Sequence, residues 1–217
     1  MELSKILLQL LSGFGVTIQI FAVTLLLSLP LGLVVAFGRM SKNLILRGLV
    51  SAYISVMRGT PLMLQLICVY FGPYYLFGLS FGPGYRMTAI FIAFAINYAA
   101  YFGEIFRSGI QSMPQGQYEA ARILGYSRTQ TFFRIIFPQV VKRILPSVTN
   151  EVITLVKDTA FAFTLSVMEM FSMAKALAAA QTSMLPLFAA GAFYYIFNYA
   201  VAFLFDRLEK RLSYYRL

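Results

Sequence analysis

The chain has 217 residues, of which 59% are hydrophobic and only 12% charged, more apolar surface than a soluble core of that size can hide, so it must meet lipid. Its 18 Lys and Arg against 8 Asp and Glu fall in short clusters between long apolar runs, a pattern of membrane topology and not of nucleic-acid binding. Histidine is absent and Cys68 is the lone cysteine, which excludes an intrachain disulfide and removes the commonest acid/base group.

A membrane helix needs about 20 predominantly apolar residues, and stretches free of charge locate five candidate spans in chain order. The N-terminus carries Lys5 and a modest apolar run without a cleavage site, and is read as retained. Span one covers about 14–38, with Pro30 and Gly32 as points of bending. Span two covers about 60–80 and ends at the turn Phe81-Gly82-Pro83-Gly84. Span three, about 87–110, carries Glu104 and Arg107 near its end, spaced to pair on one helix face. Span four, about 140–160, is the least apolar, and span five covers about 185–206. With the N-terminus outside, 14 Lys and Arg fall on inner segments and 4 on outer ones, namely Lys5, Arg86, Lys157 and Lys175.

Between spans three and four lies a polar elbow, about 112–138, reading SMPQGQYEAARILGYSRTQTFFRIIFP. Ser112 with Gln115 has capping-box spacing and Pro114 suits a first helical turn, so a helix is expected to start there. Gly125 is placed to end it in a left-handed conformation. Ser127 with Gln130 repeats the capping-box spacing, and a second helix carries Phe132, Phe133, Ile135, Ile136 and Phe137 into the membrane. The plainer alternative is a helical hairpin lying on the membrane surface.

Glu119-Ala120-Ala121, then Gly125, then the apolar stretch ending at Phe137-Pro138, resembles the EAA signature of permease subunits of bacterial ABC importers. Arg58-Gly59-Thr60-Pro61, the run from Glu104 to Ile110, Pro114-Gln115-Gly116-Gln117 and Lys157-Asp158-Thr159 resemble the polar amino acid branch of that family. Ala160-Phe161 departs from it where many relatives have a Ser-Leu pair. The resemblance implies an all-α integral membrane protein of the type I importer permease fold, a single domain of five transmembrane helices in the bacterial plasma membrane. It implies a second permease chain, identical or homologous, a dimer of ATP-binding subunits and an external substrate-binding protein. Glu119, Ala120, Ala121, Arg122, Gly125 and Arg128 would form the coupling helix against the ATPase. The chain has no Gly-x-x-x-x-Gly-Lys-Ser/Thr sequence, so in this reading it is no enzyme, and ATP and magnesium belong to the partner ATPase.

Polar side chains at mid-bilayer are expensive and usually face a partner, a cavity or a pathway. Asn97, Glu151 and Asn198 each fall about 15–20 Å along their helices, near one layer of a core about 30 Å thick. The asparagines fit either substrate contact or helix-to-helix hydrogen bonding. Tyr98 and Tyr101, beside Asn97, fit substrate stacking or packing. Glu151 has no basic residue one turn away and is the best candidate to hold a cationic substrate group, which favours basic amino acids such as arginine, lysine or histidine. Glutamine, glutamate or cystine remain alternatives for the same machinery. A secondary transporter or channel would carry inverted repeats or broken helices in matching halves, and neither is evident. Lys157 and Asp158 are adjacent and have no assigned role.

Overall fold

The computed structural model describes residues 3–82 and 84–212. Pro83 of the expected outer turn and Arg216 of the basic C-terminal cluster lie outside them. Among the described residues the chain is helical throughout: α1 (Leu3–Arg39), α2 (Leu44–Gly59), α3 (Leu62–Phe77), α4 (Tyr85–Gln111), α5 (Gln115–Ile123), α6 (Arg128–Gln130), α7 (Phe137–Asp158), α8 (Met170–Gln181) and α9 (Leu185–Leu212). A π-helical stretch, Thr131–Ile136, joins α6 to α7, and a 3-10 stretch, Thr159–Leu165, extends α7.

The long apolar α1 begins well before the expected residue 14 and runs through Pro30. It packs tightly on α4 because both helices offer glycine at the crossing: a Cβ on Gly32 would stand 2.8 Å from the Phe102 Cβ and 3.2 Å from the Gly103 nitrogen. Small residues let membrane helices approach to backbone contact, where dispersion is strongest. Around this crossing, Ile20, Leu66, Ile90, Phe94, Phe102, Val152 and Leu155 form the main buried core between α1, α3, α4 and α7.

Two expectations need correction. The segment after span one, read as an inner connection, is the helix α2, whose start is capped by Asn43 Oδ1 accepting from the Ile45 and Leu46 amides at 2.9 and 3.3 Å. Its Arg47 and Arg58 interrupt the charge-free stretch that marks a span, so it escaped notice. Pro61 cannot continue a helix and forces Thr60 into extended geometry (φ −122°, ψ 150°), and α3 leaves at 112° to α2. Second, the chain after α7 does not stay an outer loop but bends by 60° into α8. At 12 residues α8 is too short to be found as a span. Its N-cap is the fully buried Glu169, which accepts from the Phe171 and Ser172 amides at 2.6 and 2.7 Å and from the Tyr194 hydroxyl at 3.2 Å. Three helices, α1, α4 and α9, are each long and apolar enough to cross a membrane, and five spans are reached when each bent pair counts as one.

The elbow forms largely as its residues dictate. Gly125 adopts φ +78°, and the Tyr126 amide donates to Ala121 O while the Gly125 amide donates to Arg122 O, both at 3.0 Å, closing α5 in a Schellman turn. Ser127 and Gln130 complete a reciprocal capping box. The expected box at Ser112 is absent: the Ser112 hydroxyl turns back to Gly109 O at 2.7 Å and closes α4, leaving Pro114 to start α5. Met113, Ile136 and Val140 are buried together at the root of the elbow, and the Arg143 guanidinium donates to Ser112 O at 3.0 Å.

Candidate substrate cleft and coupling elbow

The break between α2 and α3 leaves a cleft of about 430 Å³ against α4 and α7. All four candidates for substrate contact, Asn97, Tyr98, Tyr101 and Glu151, line it, joined by Thr60, Thr154 and Asp158. Asn198, expected at the same depth, lies on α9 and is not among the lining residues.

The four differ in what they are free to do. Asn97 is buried, and its amide donates to Met57 O at 3.1 Å and to Gln65 Oε1 at 2.9 Å. Gln65 in turn donates to Met57 O, Thr60 O and the Thr60 hydroxyl at 3.0, 3.2 and 2.8 Å. Together they satisfy the carbonyls that the end of α2 leaves open, so Asn97 fastens the break that shapes the cleft. Tyr98 is 1% exposed, and its hydroxyl donates to Asp158 Oδ2 at 2.7 Å. Tyr101 is half-buried under the Arg58 guanidinium, which stands 5.3 Å from the ring centroid. Glu151 is half-buried and makes no hydrogen bond or ion pair with a described residue.

Asp158, which had no assigned role, follows Glu151 by seven residues on α7, two turns or about 10 Å along the same face. That i, i+7 spacing was the available signal for it. Gln65 and Arg58 were also missed as parts of the site; an amide inside the apolar run of α3 was the signal for Gln65.

A second cleft of about 480 Å³ continues from the first toward the elbow, sharing Tyr101 and Glu151 and adding Arg58, Glu104, Arg107, Arg143 and three serines, Ser108, Ser112 and Ser147. Glu104 and Arg107 pair through two hydrogen bonds of 3.1 and 2.7 Å, with Arg39 Nε 4.0 Å from the same carboxylate. The charged residues of the upper cleft are thus the carboxylates Glu151 and Asp158, and the lower one adds three guanidiniums and Glu104.

At the elbow, Glu119, Ala120, Arg122, Gly125 and Arg128 are exposed, whereas Ala121 is fully buried and packs inward. The tip residues Ile123 and Leu124 are 87% and 72% exposed and form an apolar knob flanked by Arg122 and Arg128. Tyr118 packs at the root, where burial pushes its phenol above the ordinary range.

Residues 28–214 match the family model described as binding-protein-dependent transport system inner membrane component. A putative glutamine transport system permease protein of Rickettsia felis is 33% identical over 95% of this chain and 94% of its own. The octopine transport system permease protein of Rhizobium radiobacter is 38% identical over 92% and 84%, and the L-cystine transport system permease protein of Bacillus subtilis 34% over 94% and 86%. Among solved structures, an amino acid ABC transporter crystallised with histidines aligns at TM-score 0.83 and 31% identity over 94% of both chains. The inward-facing methionine transporter MetNI, at TM-score 0.71 and 18% identity over 97% of this chain and 96% of its own, shares the fold. The chain belongs to the binding-protein-dependent transport system inner membrane components, as an amino acid ABC importer permease of the type I fold.

Proposed function

We propose that this chain carries basic amino acids, arginine, lysine or histidine, inward through the two clefts, with Glu151 holding the cationic group. The observation that carries this reading is one cleft that presents Glu151 without a bonded partner among the described residues and, two turns away on the same helix, Asp158 bonded among those residues to Tyr98. Two carboxylates facing one low-dielectric space are costly unless a cation or several donors compensate them. A guanidinium, ammonium or imidazolium does so, and the Tyr98 and Tyr101 rings offer faces to the same groups. Thr60 and Thr154 supply hydroxyls for the rest of the molecule.

Transport in this reading needs partners. A second permease chain, identical or homologous, closes the path. A dimer of ATP-binding subunits, holding ATP and magnesium, receives the elbow, and a binding protein outside a bacterial plasma membrane delivers the amino acid. The Ile123–Leu124 knob between Arg122 and Arg128 is shaped to seat in a cleft with an apolar floor and acidic rim.

A second reading, glutamine or cystine as cargo, draws on the relatives so named, and every amino acid brings an α-ammonium that Glu151 accepts. Uptake of labelled arginine into cells expressing the complete transporter, in competition with lysine, histidine, glutamine and cystine, separates the two. Basic amino acids compete best if the first reading is right; stronger competition by glutamine or cystine selects the second.

A further inference from the structure

We infer that Arg58 is the resident counter-charge of Glu151, a tethered cation that shares the lower cleft with the carboxylate without pairing to it and that a cationic amino acid bound at Glu151 drives away. The inference rests on the proposed role of Glu151 in the substrate site.

Arg58 sits on the last turn of α2, directly before the Thr60-Pro61 break. The backbone there is held firmly: Met57 O accepts from both Gln65 and Asn97, and the Tyr53 hydroxyl donates to Ile96 O. The side chain is not. It is exposed, makes no ion pair among the described residues, and lies over the Tyr101 ring, which both clefts share. It lines the lower cleft together with two carboxylates, Glu104 and Glu151.

Those carboxylates are in unlike positions. Glu104 is held by Arg107 through two hydrogen bonds and has Arg39 beside it, so a third guanidinium there is surplus. Glu151 has no such partner among the described residues, and Arg58, over the Tyr101 ring that lines both clefts, is a cation of the same cleft. The flat guanidinium can slide across an aromatic face without losing its attraction to the ring, so Tyr101 provides a path between the clefts. An arginine or lysine entering the upper cleft offers Glu151 a replacement charge at short range. An amino acid with a neutral side chain offers only its α-ammonium, and Arg58 then competes with it more effectively. Arg58 thereby sharpens selection by opposing the wrong cargo.

The test is equilibrium binding of labelled arginine and labelled glutamine to the purified permease–ATPase complex in lipid nanodiscs, without binding protein. The variants are Arg58→Gln, Arg58→Lys, Glu151→Gln and the double variant Arg58→Gln with Glu151→Gln. Arg58 is exposed, so its replacement strands no buried group and assembly is not at risk. Removing the competing charge is expected to tighten arginine binding about three- to fivefold, the scale of a solvent-screened ion pair. Arg58→Lys keeps the competitor and stays near the parent, and the gain disappears in the double variant. The inference is overturned if Arg58→Gln weakens or leaves unchanged the binding of arginine, or if it tightens binding equally when Glu151 is already Gln. If Glu151→Gln alone leaves arginine binding at the parent level, the substrate role of Glu151 fails instead, and that result comes from a protein that still carries Arg58.

Discussion

At the scale of single residues, the cleft separates groups whose bonds build it from groups that the proposed function assigns to a cargo. Asn97 builds: replacing it with Leu removes donors to Met57 O and Gln65 Oε1 and strands the Gln65 oxygen, while Met57 O keeps its bond from Gln65, at about 1–3 kcal/mol. The Asn97→Leu complex is therefore expected to melt at lower temperature and to lose transport of all amino acids together; unchanged melting would show that the fastening is dispensable. Tyr98 positions Asp158. Tyr98→Phe keeps the buried ring and deletes one hydrogen bond to a carboxylate, so the complex should assemble and the apparent affinity for basic amino acids should change more than that for glutamine. Equal effects on both would detach Asp158 from cation recognition. Gly125 is a third case, since φ +78° strains any residue with a Cβ by about 1–2 kcal/mol although the space around it is open. Gly125→Leu should leave the membrane helices intact and cut the stimulation of ATPase activity by loaded binding protein; full stimulation would contradict a coupling role for this turn. Glu151 stands out in the sequence because a carboxylate in an apolar helix has few explanations, and the structure places it in the wall of the cleft. Asp158 has no assigned role in the sequence beside Lys157, and the fold exposes Lys157 while it places Asp158, half-buried, in the cleft.

At the scale of elements, the helices that read well were those whose boundaries are set locally. Helix α4 covers Tyr85–Gln111 against an expected 87–110, and the Gly125 turn and Ser127 cap lie where their residues put them. The helices that were missed, α2 and α8, owe their identity to packing. Helix α2 has charges on a face that no span would tolerate, and the burial of Ile54 and the Tyr53 bond to α4 hold it in place. Helix α8 is capped by Glu169, whose buried oxygens accept locally from the Phe171 and Ser172 amides and the Ser172 hydroxyl and at long range from Tyr194, and it is the burial of that carboxylate, not its cap spacing, that the sequence does not announce. The Gly32–Gly103 crossing gives a prediction at this scale. Gly32→Val puts side-chain atoms into the α4 backbone, an overpacking of about 1–3 kcal/mol, and should lower the yield and thermal stability of the complex; wild-type stability would mean that α1 shifts freely on α4.

At the scale of the whole molecule, the two clefts form a polar line along one side of the helix bundle, from the Glu151–Asp158 face down to the arginines above the elbow. The order of charge along that line was not legible in the sequence, because it depends on α2 bending back to set Arg58 against α4. The fold class was legible, since apolar runs and basic clusters are constrained by the bilayer itself. The central claim, that Glu151 holds the cationic group of the cargo, is tested most directly by Glu151→Gln, which keeps the shape of the side chain and removes its charge. The measurement is uptake of labelled arginine and labelled glutamine by the reconstituted transporter, after confirming that the variant complex assembles. Loss of a charged hydrogen-bond partner predicts about tenfold or greater loss of apparent affinity for arginine, with a smaller change for glutamine. Arginine uptake at the parent's rate and affinity would contradict the account and leave Glu151 a structural residue.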